Sequence, residues 1–237
     1  MPGQSACSKI GRPADVRSAV RSAAARSSAI RFTALPAVVG LCIGIGLLLV
    51  PFASASDWNY QETHTDARDF PAGGMLHVRL GVGDLHIRRG DSSKIHVSYT
   101  IKSRREQNLK NARIDFDVRG NDASIEFHAP TGGNTQFDVE LEVPENTNLD
   151  VHDKVGDLTV ENIEGDKDLV LSVGDIRIAN EHSGYRLASA STGIGDVNGD
   201  GYGETSGWLG KTLKYHGDGK YELRAHVGVG DISLQGK

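Results

Sequence analysis

The feature that most constrains this chain is a four-residue pattern that occurs five times: a β-branched residue, Gly, Asp and then an aliphatic residue. Glycine adopts turn conformations that other residues resist, aspartate caps turns, and the flanking residues favour strands. The pattern therefore predicts a repeated corner between strands, in which Gly turns the chain, Asp caps the turn and the aliphatic residues fill the core. The five Gly-Asp pairs are Gly83-Asp84, Gly156-Asp157, Gly174-Asp175, Gly195-Asp196 and Gly230-Asp231.

The remainder of residues 75–237 alternates apolar and polar residues in short runs, which are separated by Gly, Asn, Asp and Pro. This alternation is typical of half-buried strands and predicts an all-β domain. The one helical candidate, residues 104–112, lacks an apolar stripe, so we predict a charged loop or a single helical turn there. A polar lead-in over residues 56–74 precedes the domain.

The spacing of the repeats favours stacked coils. Asp157, Asp175, Asp196 and Asp231 follow one another at intervals of 18, 21 and 35 residues. Intervals near 20 resemble one coil of a β-solenoid, in which each coil stacks on the last. We therefore expect a β-solenoid or stacked β-roll with coils of about 20 residues, most regular from residue 149. The alternative is an antiparallel β-sandwich in which each Gly-Asp forms a two-residue hairpin turn.

Residues 1–55 have the features of an export signal. A basic region is followed by an uncharged, largely apolar stretch, and Ala53-Ser54-Ala55 matches a signal cleavage pattern. The apolar stretch predicts an N-terminal hydrophobic helix, and cleavage after Ala55 gives a periplasmic, outer-surface or secreted protein. The alternative is a retained signal anchor, in which residues 32–55 hold the chain in the inner membrane.

Cysteine and charge exclude several classes of function for the exported part. Both cysteines, Cys7 and Cys42, lie within residues 1–55, so the remainder has no thiol for a disulfide, a nucleophile or a metal site. The chain has 26 basic and 31 acidic residues; residues 1–55 contain six of the basic residues and one acid, which leaves 20 and 30 and a formal net charge of −10. Such a surface repels nucleic acid and anionic lipid. We expect no nucleic-acid partner, and membrane contact only through an uncleaved N-terminal segment.

One repeat continues into a candidate calcium site. Asp196, Asn198 and Asp200 match the first half of a calcium loop, and Glu204 is placed to act through a water molecule. The twelfth position of such a loop is Gly207, which supplies no carboxylate, so a tight polar turn is the competing interpretation. A column of stacked repeat aspartates is a second arrangement of hard oxygens that suits calcium. No other cofactor is predicted.

Signals for catalysis are weak. The sequence has no G-x-S-x-G nucleophile elbow, and its nine histidines lack the H-x-x-x-H spacing with Glu that marks a zinc enzyme. The enzymatic alternative is a carbohydrate-active enzyme on a β-helix, with aromatic residues that stack on sugars beside paired acids. Residues that cap the last coil are expected to form a similar cluster. The aromatic residues are Tyr202, Trp208, Tyr215 and Tyr221, and the acids are Asp200, Glu204 and Asp218.

The C-terminal runs 207–211 and 217–232 resemble bacterial exported proteins known as putative adhesins, a family of unknown function. The resemblance extends over about residues 75–237 and implies a domain of repeated strand, Gly-Asp or Gly-Ser, strand units; it brings no catalytic residues. We therefore expect a non-enzymatic envelope protein, adhesin-like or structural, that binds an unidentified protein or polysaccharide of the cell envelope. The alternatives are a calcium-dependent binding module and a carbohydrate-active enzyme.

Overall fold

A computed structural model describes residues 58–90, 93–132 and 134–236, and this part of the chain is all-β. The signal peptide or anchor predicted over residues 1–55, with its hydrophobic helix, lies outside the described residues. Within the described ranges, no helix has the length and apolar character needed to cross a bilayer.

Sixteen strands, one α-helix and one 3-10 helix make up the described secondary structure. The α-helix, α1 (Glu106–Asn111), buries none of its residues, which agrees with the missing apolar stripe in the sequence. The 3-10 helix is His182–Gly184. The strands are β1 (Tyr60–Asp69), β2 (Met75–Arg89), β3 (Lys94–Ser103), β4 (Arg113–Arg119), β5 (Asp122–His128), β6 (Thr135–Val143), β7 (Asn148–Val155), β8 (Leu158–Glu161), β9 (Lys167–Val173), β10 (Ile176–Ala179), β11 (Tyr185–Ile194), β12 (Val197–Asp200), β13 (Thr205–Ser206), β14 (Thr212–His216), β15 (Tyr221–Val229) and β16 (Ile232–Gln235).

The strands form two sets of ladders that enclose the core, and β2 belongs to both. One set, the first sheet, runs in the order β12, β16, β10, β8, the C-terminal half of β2, β6, β3 and β1. The other, the second sheet, runs in the order β13, β14, β11, β15, β9, β7, the N-terminal half of β2, β5 and β4. A strand of 15 residues therefore passes from one sheet to the other at Gly83.

The middle of the structure consists of coils, each a strand of the second sheet, a corner and a strand of the first sheet. Neighbouring coils pair in parallel, in the spatial order β5–β6, β2, β7–β8, β9–β10, β15–β16 and β11–β12. Chain order predicted that Asp196 follows Asp175 in the stack, and this is wrong. The last coil of the chain, β15–β16, lies between them, because β16 pairs with both β10 and β12.

The segments on either side of a Gly-Asp corner lie in different sheets and do not pair with each other. β7 pairs with β2 and β9 in the second sheet, whereas β8 pairs with β2 and β10 in the first. Antiparallel pairs occur instead at the two ends of the stack, where β1, β3 and β4 cover one end and β13 and β14 the other.

The core lies between the two sheets, where inward side chains of successive coils stack in columns. Most columns are aliphatic, as the alternating sequence pattern predicts. The residues that follow Asp in the five repeats form one such column, each at most 5% exposed. That column contains Leu85, Leu158, Ile176, Ile232 and Val197. A second column, next to the corners, contains Leu80, Asp153, Leu171, Val227 and Thr192.

Candidate functional site

The five Gly-Asp corners lie directly above one another along one edge of the stack. Each glycine has a positive φ, for example +132° at Gly174. A Cβ on Gly174 would overlap the carbonyl oxygen of Gly156, and the same overlap recurs between the other neighbouring corners. Glycine is therefore required here for two reasons, the backbone conformation and the close approach of adjacent coils.

The five aspartates form a hydrogen-bonded ladder between coils. In four of the five aspartates, the Oδ1 atom accepts a hydrogen bond from the backbone amide of the aspartate in the next coil. The four bonds are Asp157 N to Asp84 Oδ1 at 3.1 Å, Asp175 N to Asp157 Oδ1 at 3.2 Å, Asp231 N to Asp175 Oδ1 at 3.0 Å and Asp196 N to Asp231 Oδ1 at 2.8 Å. The carboxylates thus cap the turn of the neighbouring coil, whereas the sequence predicted that each caps its own.

Cationic side chains accompany only part of this ladder. Arg177 lies 3.4 Å from Asp157 and 3.3 Å from Asp175. Lys102 pairs with Asp138, which is in register with Asp84. Within the described ranges, no Lys, Arg or His lies within ion-pair distance of Asp231 or Asp196. In the described part of the chain, the carboxylates at the end of the ladder near β12 are therefore not neutralised by an ion pair.

The two aliphatic positions of the repeat have opposite environments. The residue after Asp fills the core, but the residue before Gly faces solvent and is between 41% and 51% exposed. The prediction that both positions fill the core is therefore wrong for the residue before Gly. The corner begins at that residue, so its side chain turns outward although the period of two would place it inward. The outward residues are Val82, Val155, Val173, Val229 and Ile194.

The predicted calcium residues lie at the edge of the first sheet. Asp196 occupies the last corner, Asn198 and Asp200 are exposed on the edge strand β12, and Glu204 is exposed in the loop that follows. Alternate residues of an extended strand are about 6.6 Å apart, so these side chains do not converge as they would in a calcium loop. Across the described ranges, no group of three or more His, Cys, Asp or Glu side chains is arranged to hold a metal ion. Calcium binding at this segment stays a prediction.

The aromatic residues proposed to stack on sugars do not form one exposed cluster. Tyr202 is fully buried and packs against Tyr215 at 5.4 Å between ring centroids and against His182 at 6.0 Å. Burial raises the pKa of Tyr202 to about 12, so its hydroxyl stays protonated. Tyr221 donates a hydrogen bond to Glu164 at 3.3 Å. Trp208 is 94% exposed in the turn before β14.

A serine and a histidine meet in an open groove of about 500 Å³ on the outer face of the second sheet. Ser191 Oγ lies 3.0 Å from His226 Nδ1, and Asp168, Lys214 and Arg224 line the same groove. In the described part of the chain, no carboxylate lies within ion-pair distance of His226. The pair therefore lacks the third group that orients the base in a catalytic triad.

Asp153 is the one buried acid among the described residues, and no role for it was predicted from the sequence. It is 2% exposed, between Leu80 and Leu171 in the core column beside the corners. Neither carboxylate oxygen has a partner in full hydrogen-bond geometry. Burial raises the pKa of Asp153 to about 7; the nearby amides of Lys154 and Val155 lower it in part, and Asp84 adds to the rise. The alternation Leu149, Val151, Asp153 is the sequence signal that places this acid inward.

Lys167 is the corresponding buried base, at the opposite end of the same strands. It is 2% exposed and lies between Leu149 and Leu223 in register. Its Nζ atom donates to the carbonyl oxygen of Gly165 at 2.9 Å and lies 5.1 Å from the ring centroid of Tyr185. Burial lowers the pKa of Lys167 to about 7, and Asp166 and Glu164 partly oppose the change. Asp153 and Lys167, whose pKa values are both shifted by burial, are thus enclosed by the stack.

Neither a protein-family model nor a curated protein matches this chain. Solved structures do match. A putative cell adhesion protein from Clostridium sporogenes is 18% identical with a TM-score of 0.49, over 74% of this chain and 100% of that one. A putative adhesin from Parabacteroides merdae is 15% identical with a TM-score of 0.32, over 58% and 64% of the two chains. A putative lipid binding protein from Parabacteroides distasonis is 11% identical with a TM-score of 0.26, over 75% and 98%.

Proteins named putative adhesins are therefore among the solved structures that this chain resembles, as the C-terminal sequence runs predicted. At identities below 20% and TM-scores below 0.5, the likeness gives no information on what this chain binds.

Proposed function

We propose that this chain is a non-enzymatic protein of the cell envelope, whose β domain is a rigid binding or structural module. The observation that carries the proposal is the location of the acid and the base with strongly shifted pKa values. Asp153 and Lys167 are each only 2% exposed, inside the stack. Enzymes place such groups in clefts that a substrate can reach.

We also propose that the stack of coils is a β-solenoid-like roll. Its support is the parallel register between successive coils and the placement of the two strands of each corner in different sheets. Coil stacks of this kind present extended, repetitive surfaces. Such surfaces suit the binding of another macromolecule better than the enclosure of a small substrate.

Export is the second part of the proposal. It is supported by the basic, apolar and Ala-Ser-Ala segments of residues 1–55. The partner we propose is a protein or polysaccharide of the envelope. The formal net charge of −10 after residue 55 disfavours nucleic acid.

The test uses the full chain with a C-terminal epitope tag, expressed in a bacterium and followed by fractionation and chemical cross-linking of intact cells. We expect the tag in the periplasmic, outer-membrane or secreted fraction, in cross-linked products larger than the chain itself. A chain that stays in the cytosol would refute export. Release of reducing ends from an envelope polysaccharide by the purified chain would refute the non-enzymatic assignment.

A further inference from the structure

The exposed apolar side chains of this protein are concentrated on one edge. The residues before Gly in the five repeats are in register from coil to coil, and we call this column the ridge: Val82, Val155, Val173, Val229 and Ile194. At the usual spacing between strands the ridge is about 19 Å long. Each member is at least 41% exposed.

The turn before β14 extends the ridge past Ile194. Gly195 and Gly210 form a bridge, and the amide of Gly195 donates to the carbonyl oxygen of Leu209 at 3.5 Å. Leu209 is 61% and Trp208 is 94% exposed. The ridge and this turn together hold seven of the eight large apolar side chains that are exposed in the described chain. A contiguous patch of this kind marks an interaction surface, whereas scattered apolar residues do not.

The two edge strands at the opposite end of the stack from Trp208 carry charged side chains, unlike the ridge. The edge strand β4 alternates outward charges, namely Arg113, Asp115, Asp117 and Arg119. The edge strand β1 exposes Glu62, Asp66 and Asp69. Charged residues on edge strands prevent pairing with another sheet. The end of the stack that β1 and β4 cover is therefore protected, and the apolar surface is on the side of the stack.

Charge identifies the occupant of the ridge. The aspartate ladder runs beside it, and Asp231 and Asp196 are at the same corners as Val229 and Ile194. No cation in the described ranges pairs with either carboxylate, as noted above. A second copy of this chain would bring one acidic ladder against another, and an anionic lipid surface would be repelled in the same way. A segment with both apolar and cationic side chains is complementary to this surface.

We propose that the ridge, with Leu209, Trp208 and the end of the aspartate ladder, is the docking surface for an extended cationic and apolar segment of another protein. The proposal deepens the binding role proposed above and rests on it. Trp208 and the aliphatic ridge supply the contact area, since exposed Trp is a frequent centre of binding energy. Asp231 and Asp196 select for Lys or Arg and make binding sensitive to salt.

The test measures binding of a fluorescein-labelled peptide of alternating Leu and Lys, of about eight residues, which spans the ridge at about 3.3 Å per residue. The full chain carrying Val173→Thr, Val229→Thr and Ile194→Thr together is compared with the natural sequence by fluorescence anisotropy. Threonine keeps the β-branched shape while removing apolar surface. We expect saturable binding of the peptide to the natural sequence. The triple variant should weaken this binding at least tenfold, because it removes the central apolar contact. A tenfold loss of affinity corresponds to about 1.4 kcal/mol.

Two further variants test the contribution of the carboxylates and the specificity for the ridge. Asp231→Asn with Asp196→Asn is expected to weaken binding about fivefold and to flatten its salt dependence. Tyr60→Ser removes the one large apolar residue of the described chain that is exposed away from the ridge and from the turn before β14, and it is expected to leave the peptide affinity unchanged. If the triple variant melts more than a few degrees lower, Trp208→Ser replaces it, because a side chain 94% exposed contributes little to stability. A threefold or greater loss is then expected.

Four results would overturn the docking proposal. They are equal affinity of the triple variant, equal binding of a Lys-Ser peptide, a ridge-dependent dimer in sedimentation, and ridge-dependent binding to vesicles of phosphatidylethanolamine and phosphatidylglycerol. The last two would assign the ridge to a second copy or to lipid. Envelope cross-linking that persists in the triple variant would leave the proposed function standing while the docking surface fails.

Discussion

At the residue scale, four of the five repeat aspartates stabilise the coil next to their own. Four carboxylate oxygens accept backbone amides of neighbouring corners at 2.8 to 3.2 Å. Hydrogen bonds from an amide to a carboxylate are stronger than those between neutral groups. The bonds offset the repulsion between carboxylates stacked about 4.8 Å apart. The ladder is therefore a device for holding coils in register.

Substitutions at Asp231 distinguish the effect of its hydrogen bond from the effect of its charge. In the described ranges no cation pairs with this carboxylate, so no ion pair is lost with it. Asp231→Ala removes the acceptor for the amide of Asp196, and we expect a loss of about 1–2 kcal/mol in the free energy of unfolding. Asp231→Asn retains an acceptor and removes the repulsion, so its loss should be below about 0.5 kcal/mol. Urea unfolding at pH 7 followed by circular dichroism measures both. Equal losses for the two variants would contradict the acceptor role.

Gly174 tests the second requirement of the corner, the close approach of adjacent coils. Gly174→Ala adds a Cβ into the carbonyl of Gly156 at a φ of +132°, so we expect a loss above about 3 kcal/mol. Gly120→Ala is the matched control, since Gly120 has a φ of +63° and no atom within 4 Å of the added Cβ. Its expected loss is about 1–2 kcal/mol, from backbone conformation alone. Thermal unfolding compares them, and similar melting temperatures would refute the steric argument.

At the element scale, strand β7 carries an acid into an aliphatic column. The side chain of Asp153 occupies the place that leucine fills in the coils on either side. Since its pKa is raised to about 7, the folded chain retains a proton that the unfolded chain loses near pH 4. The free energy of unfolding therefore decreases as pH rises from about 4 to about 7 and is lowest above that range. The rise in the pKa of Asp153 from 3.8 to about 7 corresponds to a decrease of roughly 4 kcal/mol in the free energy of unfolding.

Asp153→Leu is expected to remove this dependence, so that the variant exceeds the natural sequence by several kcal/mol at pH 8 and much less at pH 4. Denaturant unfolding of both proteins at several pH values gives the difference, in which the contributions of other groups cancel. Lys167→Met is the control. Because the pKa of Lys167 is lowered to about 7, this lysine makes the free energy of unfolding rise with pH between about pH 7 and pH 10. Its replacement therefore changes the pH dependence in a different range from that of Asp153. A difference that is flat from pH 4 to 8 would contradict the burial of a titrating Asp153.

The edge strand β12 is where calcium binding is tested. Asp196, Asn198, Asp200 and Glu204 are all exposed there, so binding requires that this strand leave β16 and form a loop. Calorimetry of the domain with millimolar Ca²⁺, together with its melting temperature, measures the prediction, and Asp200→Ala is the control. If Ca²⁺ produces no heat of binding and no change in melting temperature, the calcium-dependent module is excluded.

At the scale of the whole molecule, the coils are not stacked in chain order. Coil β15–β16 is the last in the sequence and pairs on both sides, with β9–β10 and with β11–β12. β11 and β12 therefore contact the rest of the stack mainly through a coil that is made after them. Such an arrangement raises the separation in sequence between contacting residues and slows folding.

Truncation after Lys220 is expected to abolish cooperative unfolding, because it removes an interior coil and exposes the aliphatic columns of both neighbours. The matched control removes the edge strand β1, whose residues are mostly exposed, and should only lower the melting temperature by several degrees. Circular dichroism and thermal scans of both truncations test this. A cooperative transition in the C-terminal truncation would show that coil β15–β16 is dispensable.

The repeat, its turn chemistry and the alternation of apolar residues were sufficient to predict an all-β domain and the positions of its corners. Gly and Asp act locally, so their sequence alone shows where the chain turns. The outward side chains of Val173 and Ile194 could not be predicted, because the period of two continues up to the corner and only the corner geometry reverses it. Asp153 and Lys167 were predictable in principle from the phase of their strands, although composition favours charged residues at the surface.

The sequence by itself determined which residues form strands and which form corners, since these depend on neighbours along the chain. The tertiary structure alone decided which coil lies next to which. That choice depends on contacts between residues far apart in the sequence, such as Asp84 and Asp157, which are 73 positions apart. The ridge and the acidic ladder are consequences of that order, because a surface assembled from five separate stretches exists only when they stack in register.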